Sequence, residues 1–229
     1  MGQFILPAPK TPSVAIYNSA SRFAVRRIFC VGRNYAEHAR EMGHDSDREP
    51  PFFFTKPADA VVDDGASLPY PMQTENLHHE AELVVAIGVG GVEIPAANAL
   101  DHIWGYATGN DLTRRDMQAA AKELRRPWDM AKGFDQSAPC GALHPVVDIG
   151  HPTQARITAH VDGELRQTGD IGDMIWPVAD VIAHLSRLFT LAAGDLIYTG
   201  TPAGVGPVKR AQSCTVAITG LSSVTISFI

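Results

Sequence analysis

Cysteine is scarce in this sequence. There are 3, Cys30, Cys140 and Cys214, far apart and with no CxxC pair. Such a set excludes a disulfide framework and a cysteine-built zinc site, and it fits a reducing cytoplasm. Long apolar runs are also missing. No stretch reaches the ~18 residues that a transmembrane helix needs. The opening MGQFILPAPK lacks a basic n-region and a long apolar segment, so no secretory signal is expected there. Positive charge is in deficit, with 19 Lys and Arg against 25 Asp and Glu, a net charge of −6. With no basic block, neither nucleic acid nor an anionic membrane is expected as a partner.

What remains is ordinary for a globular chain. The 229 residues are 45% hydrophobic, enough for one domain with a substantial core. The 20 glycines and 16 prolines favour many turns and short elements over a helical bundle. Residues 1–22, with Pro7, Pro9 and Pro12, read as an extended arm, and 23–229 as a single domain.

RRIFCVG, PFFFTKP (with Lys56 just before a proline) and ELVVAIGVG read as strands. NYAEHAREMG reads as a short helix stopped at Gly43, followed by the polar loop HDSDREPP, a candidate mobile segment. PAANALDHIWG reads as a short helix entering the strand GYATGND. LTRRDMQAAAKELRR has helical character, with Thr113 and Asp116 spaced as a capping box. Beyond Val146 the segments are mostly short strands: ARITAHVDGEL with a turn at Asp162-Gly163, DLIYTG, TVAITG and VTISFI. The helix VADVIAHLSRLF interrupts them.

Five places carry candidate chemistry. Glu80 and Glu82 are two apart, so on a strand they share a face, and like charges there repel unless a cation sits between them. With Asp111, at the end of its own strand, they make an oxygen set suited to Mg²⁺ or Mn²⁺. The alternative is a solvated strand end. His78 shares that face and His79 points away. His38 and Glu41 are neighbours on a helix, so Glu41 is placed to fix the His38 tautomer for proton abstraction from water. The alternative is an exposed polar pair. Arg115 and Gln118 share a helix face suited to a substrate carboxylate and oxo group. An arginine in a first helical turn opposes the helix dipole, which favours a purpose other than stability. Lys132, in MAKGFD, is either solvated or functional. GDLIYTGTPAGVG allows backbone N–H groups close to an anion but is not a Walker loop.

Taken in order, FCVGRNYAEHAREMG, PFFFTKPADAVV, HHEAELVVAIG, GYATGNDLTRRDMQ, AKGFDQSAPCG and GDLIYTGTPAGVG closely resemble the fumarylacetoacetate hydrolase family. The resemblance runs from about Arg27 to Pro207 and implies a short, single-domain member. It implies a β-rich α+β fold, a mixed β-sandwich roll with a few short helices, and a homodimer. It further implies Glu80, Glu82 and Asp111 as ligands of Mg²⁺ or Mn²⁺, and His38, Glu41 and Lys132 as catalytic residues. Arg33, Arg115, Gln118 and Thr201 match positions near the substrate.

REPPFFFTKPADAVV and DHIWGYATGNDLTRRD are most similar to the branch that hydrolyses fumarylpyruvate in the gentisate route of aromatic degradation. The implied reaction is cleavage of the C3–C4 bond of a 2,4-dioxo acid, giving fumarate and pyruvate. An acylpyruvase, an oxaloacetate decarboxylase and a 2-hydroxyhepta-2,4-diene-1,7-dioate isomerase are alternatives on the same site. A non-catalytic metal-binding scaffold is an alternative of another class, against which all six central residues are present. Gly109-Asn110 departs from the larger apolar residues of other members, a departure expected to bear on the pocket's shape.

Overall fold

The computed structural model describes residues 5–36 and 50–229. A six-stranded sheet runs in the order His144–Pro145, Ile103–Asn110, Ala81–Ile87, Asp195–Tyr198, Arg27–Gly32, Phe52–Lys56. Asp195–Tyr198 pairs parallel with Arg27–Gly32, and the other neighbours are antiparallel. A five-stranded sheet runs Glu164–Asp170, Arg156–Val161, Ser213–Ile218, Val224–Phe228, Ala66–Leu68. The architecture is therefore β-rich, with several sheets and a few short helices, as the resemblance implies.

The central strand shows why an unbroken apolar run was needed. All seven residues of Ala81–Ile87 are buried. Leu83, Val85 and Ile87 enter one core, while Val84 and Ala86 enter another. Strand alternation sends successive side chains to opposite faces, and both faces here are dry, so no polar alternation survives. The first core is shared with the five-stranded sheet through Ile157, Val216 and Ile226. It is also shared with the helix Val178–Leu188, which buries Val178, Val181, Ile182 and Leu185 at helical spacing. The second core contains Val14, Ile28, Leu143 and Tyr198.

The expected turn forms. Asp162 (φ 49) and Gly163 (φ 80) both adopt positive φ between Arg156–Val161 and Glu164–Asp170, as a two-residue hairpin of this twist requires. The arm expected over residues 1–22 is fastened in its second half. Ser13–Ala15 pairs with Arg22–Ala24, and Tyr17 N donates to Leu143 O at 2.9 Å. The helix expected in NYAEHAREMG falls mostly on residues outside those described.

The capping box of Thr113 and Asp116 does not form. The helix Arg115–Glu123 starts one residue later than that box requires, with Arg114 at the cap and no side-chain cap bond. Thr113 is held extended in a two-residue strand against Leu77–His79. Asp116 instead accepts from Thr74 Oγ1 at 2.7 Å and Glu75 N at 3.0 Å. Cross-strand pairing won over local capping.

Gly109 also has a different role from the one expected. A Cβ there would meet Val84 Cγ2 at 2.4 Å and Tyr198 Cε1 at 2.7 Å. The missing side chain thus permits close packing of strands and does not shape the pocket. Gly109→Ala is expected to destabilise the protein by about 1–3 kcal/mol through overpacking. Urea unfolding checks this, with a lowered midpoint at unchanged m-value as the expected result.

Candidate active site

The pairing of Ala81 with Asn110 sets the site. It places Glu80, just before one strand, beside Asp111, just after the other, and Asp111 N donates to Glu80 O at 2.9 Å to extend the ladder. Asn110 reinforces the corner by accepting from Glu80 N at 3.0 Å. One carboxylate oxygen from each of Glu80, Glu82 and Asp111 lies within 4.8 Å of the others. Glu82 and Asp111 are each only 1% exposed. The solvated-strand-end alternative therefore does not hold.

Cations converge on this cluster. Lys132 Nζ lies 2.8 Å from Glu80 Oε2 and 2.6 Å from Asp111 Oδ2. Burial would lower the Lys132 pKa, but Asp111 and Glu80 outweigh it and hold it above the ordinary value. Lys56 Nζ pairs with Asp111 Oδ1 at 2.7 Å and also donates to the carbonyls of Leu112 and Lys132. Arg115 Nη2 pairs with Glu80 Oε1 at 2.6 Å, and Thr113 Oγ1 donates to the same oxygen at 3.1 Å.

Glu82 is treated differently. Its partner among the described residues is a backbone donor, Gly200 N at 2.8 Å. The anion approached by the glycine-containing loop is thus the protein's own carboxylate. Burial first, then Asp111 and Glu80, push the Glu82 pKa well above the carboxylate range. A buried carboxylate with no cation of its own among the described residues, facing two others, fits a hard divalent ion bound through oxygen.

The histidines of the motif HHEAELVVAIG serve the scaffold. His79 is fully buried and meets Gln167 Oε1 at 3.3 Å. His78 accepts from Arg115 Nε at 3.3 Å and meets Asn76 Oδ1 at 2.9 Å. Burial, and then Arg115, lower its pKa to about 4.

A cleft opens over Glu80 and Glu82. Arg33, Arg115, Gln118, Lys132 and Thr201 line it, with Phe54 and Trp128 as an aromatic wall. Arg33 holds a left-handed backbone (φ 62), unusual for a side-chain-bearing residue. Gln118 accepts from Arg115 Nη1 at 2.6 Å, confirming their shared face. Thr201 Oγ1 accepts from Gln167 Nε2 at 2.6 Å. His38 and Glu41 lie outside the described residues, as does most of the candidate mobile segment HDSDREPP. Lys56, Asn110 and Gln167 stand beside the site without being candidates for it from the sequence: Lys56 is noted there only before a proline, and Asn110 only within the Gly109-Asn110 departure. Only Lys56 gave a local signal, a cation closing an aromatic strand.

The family described as "Fumarylacetoacetate (FAA) hydrolase C-terminal" matches residues 27–227. The chain belongs to this family. It is 52% identical to fumarylpyruvate hydrolase from Pseudomonas aeruginosa, whose crystal structure is a complex with Mn²⁺ and pyruvate. The TM-score is 0.96, and 99% of each chain is covered. It is 43% identical to the mitochondrial oxaloacetate tautomerase FAHD1 of Arabidopsis thaliana, over 86% of this chain and 88% of that one. It is 40% identical to the mitochondrial oxaloacetate decarboxylase of Dictyostelium discoideum, over 86% of this chain and 91% of that one. The last two names match the oxaloacetate alternative better than the fumarylpyruvate expectation. No helix among the described residues is long and apolar enough to cross a membrane.

Proposed function

We propose that the chain is a divalent-cation-dependent hydrolase that cleaves the C3–C4 bond of a 2,4-dioxo acid, with fumarylpyruvate as substrate. The observation that carries this is the buried triad Glu80, Glu82 and Asp111, with Lys132 beside it, at the floor of an aromatic-walled cleft. The likeness to the P. aeruginosa enzyme along nearly the whole chain supports the choice of substrate.

Glu80, Glu82 and Asp111 would hold Mg²⁺ or Mn²⁺. When bound, such an ion supplies a Lewis acid for the substrate carboxylate and 2-oxo oxygen, making the pyruvate enolate a good leaving group. The chain's own groups do the rest. His38, oriented by Glu41, takes a proton from the water that attacks C4. The Lys132 ammonium faces the oxyanion that develops there. The C3–C4 electron pair stays on C3, and protonation of C3 completes pyruvate while C4 leaves as the carboxyl of fumarate. Arg115 and Gln118 hold substrate oxygens, and Arg33 and Thr201 shape the cleft. A homodimer in a reducing compartment accords with the family resemblance and with three free, buried thiols, although both named oxaloacetate relatives are mitochondrial.

A second reading is oxaloacetate tautomerisation or decarboxylation, favoured by those two relatives. It would use the same enolate stabilisation without attack at C4. Purified protein with Mn²⁺, offered fumarylpyruvate, acetylpyruvate and oxaloacetate, separates the readings. Pyruvate release and the ultraviolet signal of the oxaloacetate enol are followed. The expected result is a kcat/KM for fumarylpyruvate at least about tenfold above that for oxaloacetate, a difference of about 1.4 kcal/mol. Preference for oxaloacetate would replace the first reading with the second. No turnover, together with no change in melting on chelation, would leave a non-catalytic scaffold.

A further inference from the structure

The helix Arg115–Glu123 is oriented against the usual rule. Its one buried side chain is Gln118, a polar group. Arg115, Gln118 and Lys122, at i, i+3 and i+7, form a single stripe, and all three line the cleft. Arg115 and Gln118 are occupied, by Glu80 and by each other. Lys122 is half-buried, with its Nζ 5.2 Å from the centroid of the Trp128 ring. No carboxylate among the described residues lies at ion-pair distance from it. Burial, and then Arg115 and Arg33, lower its pKa. A half-buried lysine that lines the cleft beside an aromatic wall, with no carboxylate of the described residues at ion-pair distance, calls for an anion from solution.

Length identifies which anion. Seven residues of helix advance about 10 Å, so Lys122 stands that far along the axis from Arg115, which marks the metal end. Three bonds of an extended chain span about 3.8 Å. The carboxyl carbons of oxaloacetate are three bonds apart. Those of fumarylpyruvate are six bonds apart, roughly 7.5 Å, with a flat alkene between them suited to lie against Phe54 and Trp128.

Resting on the hydrolase reading above, we infer that Lys122 is a specificity-determining residue that binds the distal carboxylate of the acyl half. The enzyme therefore takes dioxo acids that end in a second carboxylate. The probes are fumarylpyruvate, acetylpyruvate and the product fumarate, each with Mn²⁺. Lys122→Met is expected to lower the fumarylpyruvate-to-acetylpyruvate ratio of kcat/KM by about 10- to 100-fold, the loss of one charge-assisted hydrogen bond. The loss falls mainly on KM, and Lys122→Arg restores most of it. Fumarate binding, measured by calorimetry, weakens in parallel. An unchanged ratio, or equal loss on both substrates, would overturn the assignment. If neither dioxo acid is turned over, the hydrolase reading fails on its own, and fumarate binding still decides on Lys122: binding lost in Lys122→Met supports it, and absent or unaltered binding ends it.

Discussion

Metal-free Glu82→Gln protein is expected to melt a few degrees above the parent while losing turnover. Glu82 is buried with Gly200 N–H as its donor, and the amide oxygen of glutamine can still accept that bond. What the substitution removes is a charge that burial, Asp111 and Glu80 all disfavour. A carboxyl whose pKa is raised on folding withdraws stability as pH climbs above its unfolded value of about 4.3, until the folded pKa is reached. The gain is therefore near zero around pH 4 and grows as pH climbs toward the folded pKa. On the order of 1 kcal/mol corresponds to about 2–4 °C for a domain of this size. Adding Mn²⁺ reverses the order. At 100 times Kd the parent gains about 2.7 kcal/mol, and the variant gains little. Loss of the bound Lewis acid removes several kcal/mol of transition-state stabilisation, a rate loss on the order of 10³-fold or more. Melting curves at pH 4 and 7.5, with chelator and with Mn²⁺, check the result. A variant that melts below its parent without metal and still responds to Mn²⁺ would remove Glu82 from the ligand set.

Lys132→Met should show the opposite pattern. Its ammonium touches Glu80 Oε2 and Asp111 Oδ2. Removing one partner of a buried ion pair costs about 3–5 kcal/mol, and Lys56 and Arg115, still in place, hold the loss near the lower figure. The oxygens left without it belong to two of the three carboxylates assigned to the cation, so Mn²⁺ affinity is expected to persist or tighten, and Mn²⁺ should stabilise the variant more than the parent. Turnover is expected to fall about 10²–10³-fold, as when one donor to a developing oxyanion is lost. Calorimetric Mn²⁺ titration beside kcat checks both parts. Lost metal binding with kcat intact would contradict the assignment.

Periodicity made the strands legible where burial is simple. The run from Leu83 to Ile87 and the Asp162-Gly163 turn could be read directly, because each follows from local chemistry. Glu80 and Glu82 were legible as a shared face, but their burial was not, since it depends on Asp111 and on cations far along the chain. Lys56 shows the limit most clearly. It looks like a polar strand end, and it becomes the partner of Asp111 only when the sheet edge and the turn after the strand Ile103–Asn110 meet. Thr113 failed in the other direction: its spacing satisfied a local rule that a cross-strand pairing overrode. Gln167 sits in a mostly exposed strand, where nothing nearby signals that its amide will meet His79, Ala81 and Thr201.

The bond from Gly200 N to Glu82 spans 118 positions of sequence. Gly200 follows closely on the strand Asp195–Tyr198, which covers the second edge of Ala81–Ile87. A ribosome adding about 5–20 residues per second delivers Glu82 some 6–24 seconds before its donor. Through that interval the fully buried strand Ala81–Ile87 has at least one edge unpaired, and an open apolar edge invites pairing with other chains. The same connection that finishes the metal site thus closes the aggregation-prone edge of the nascent protein, so the site matures only when most of the chain has been made.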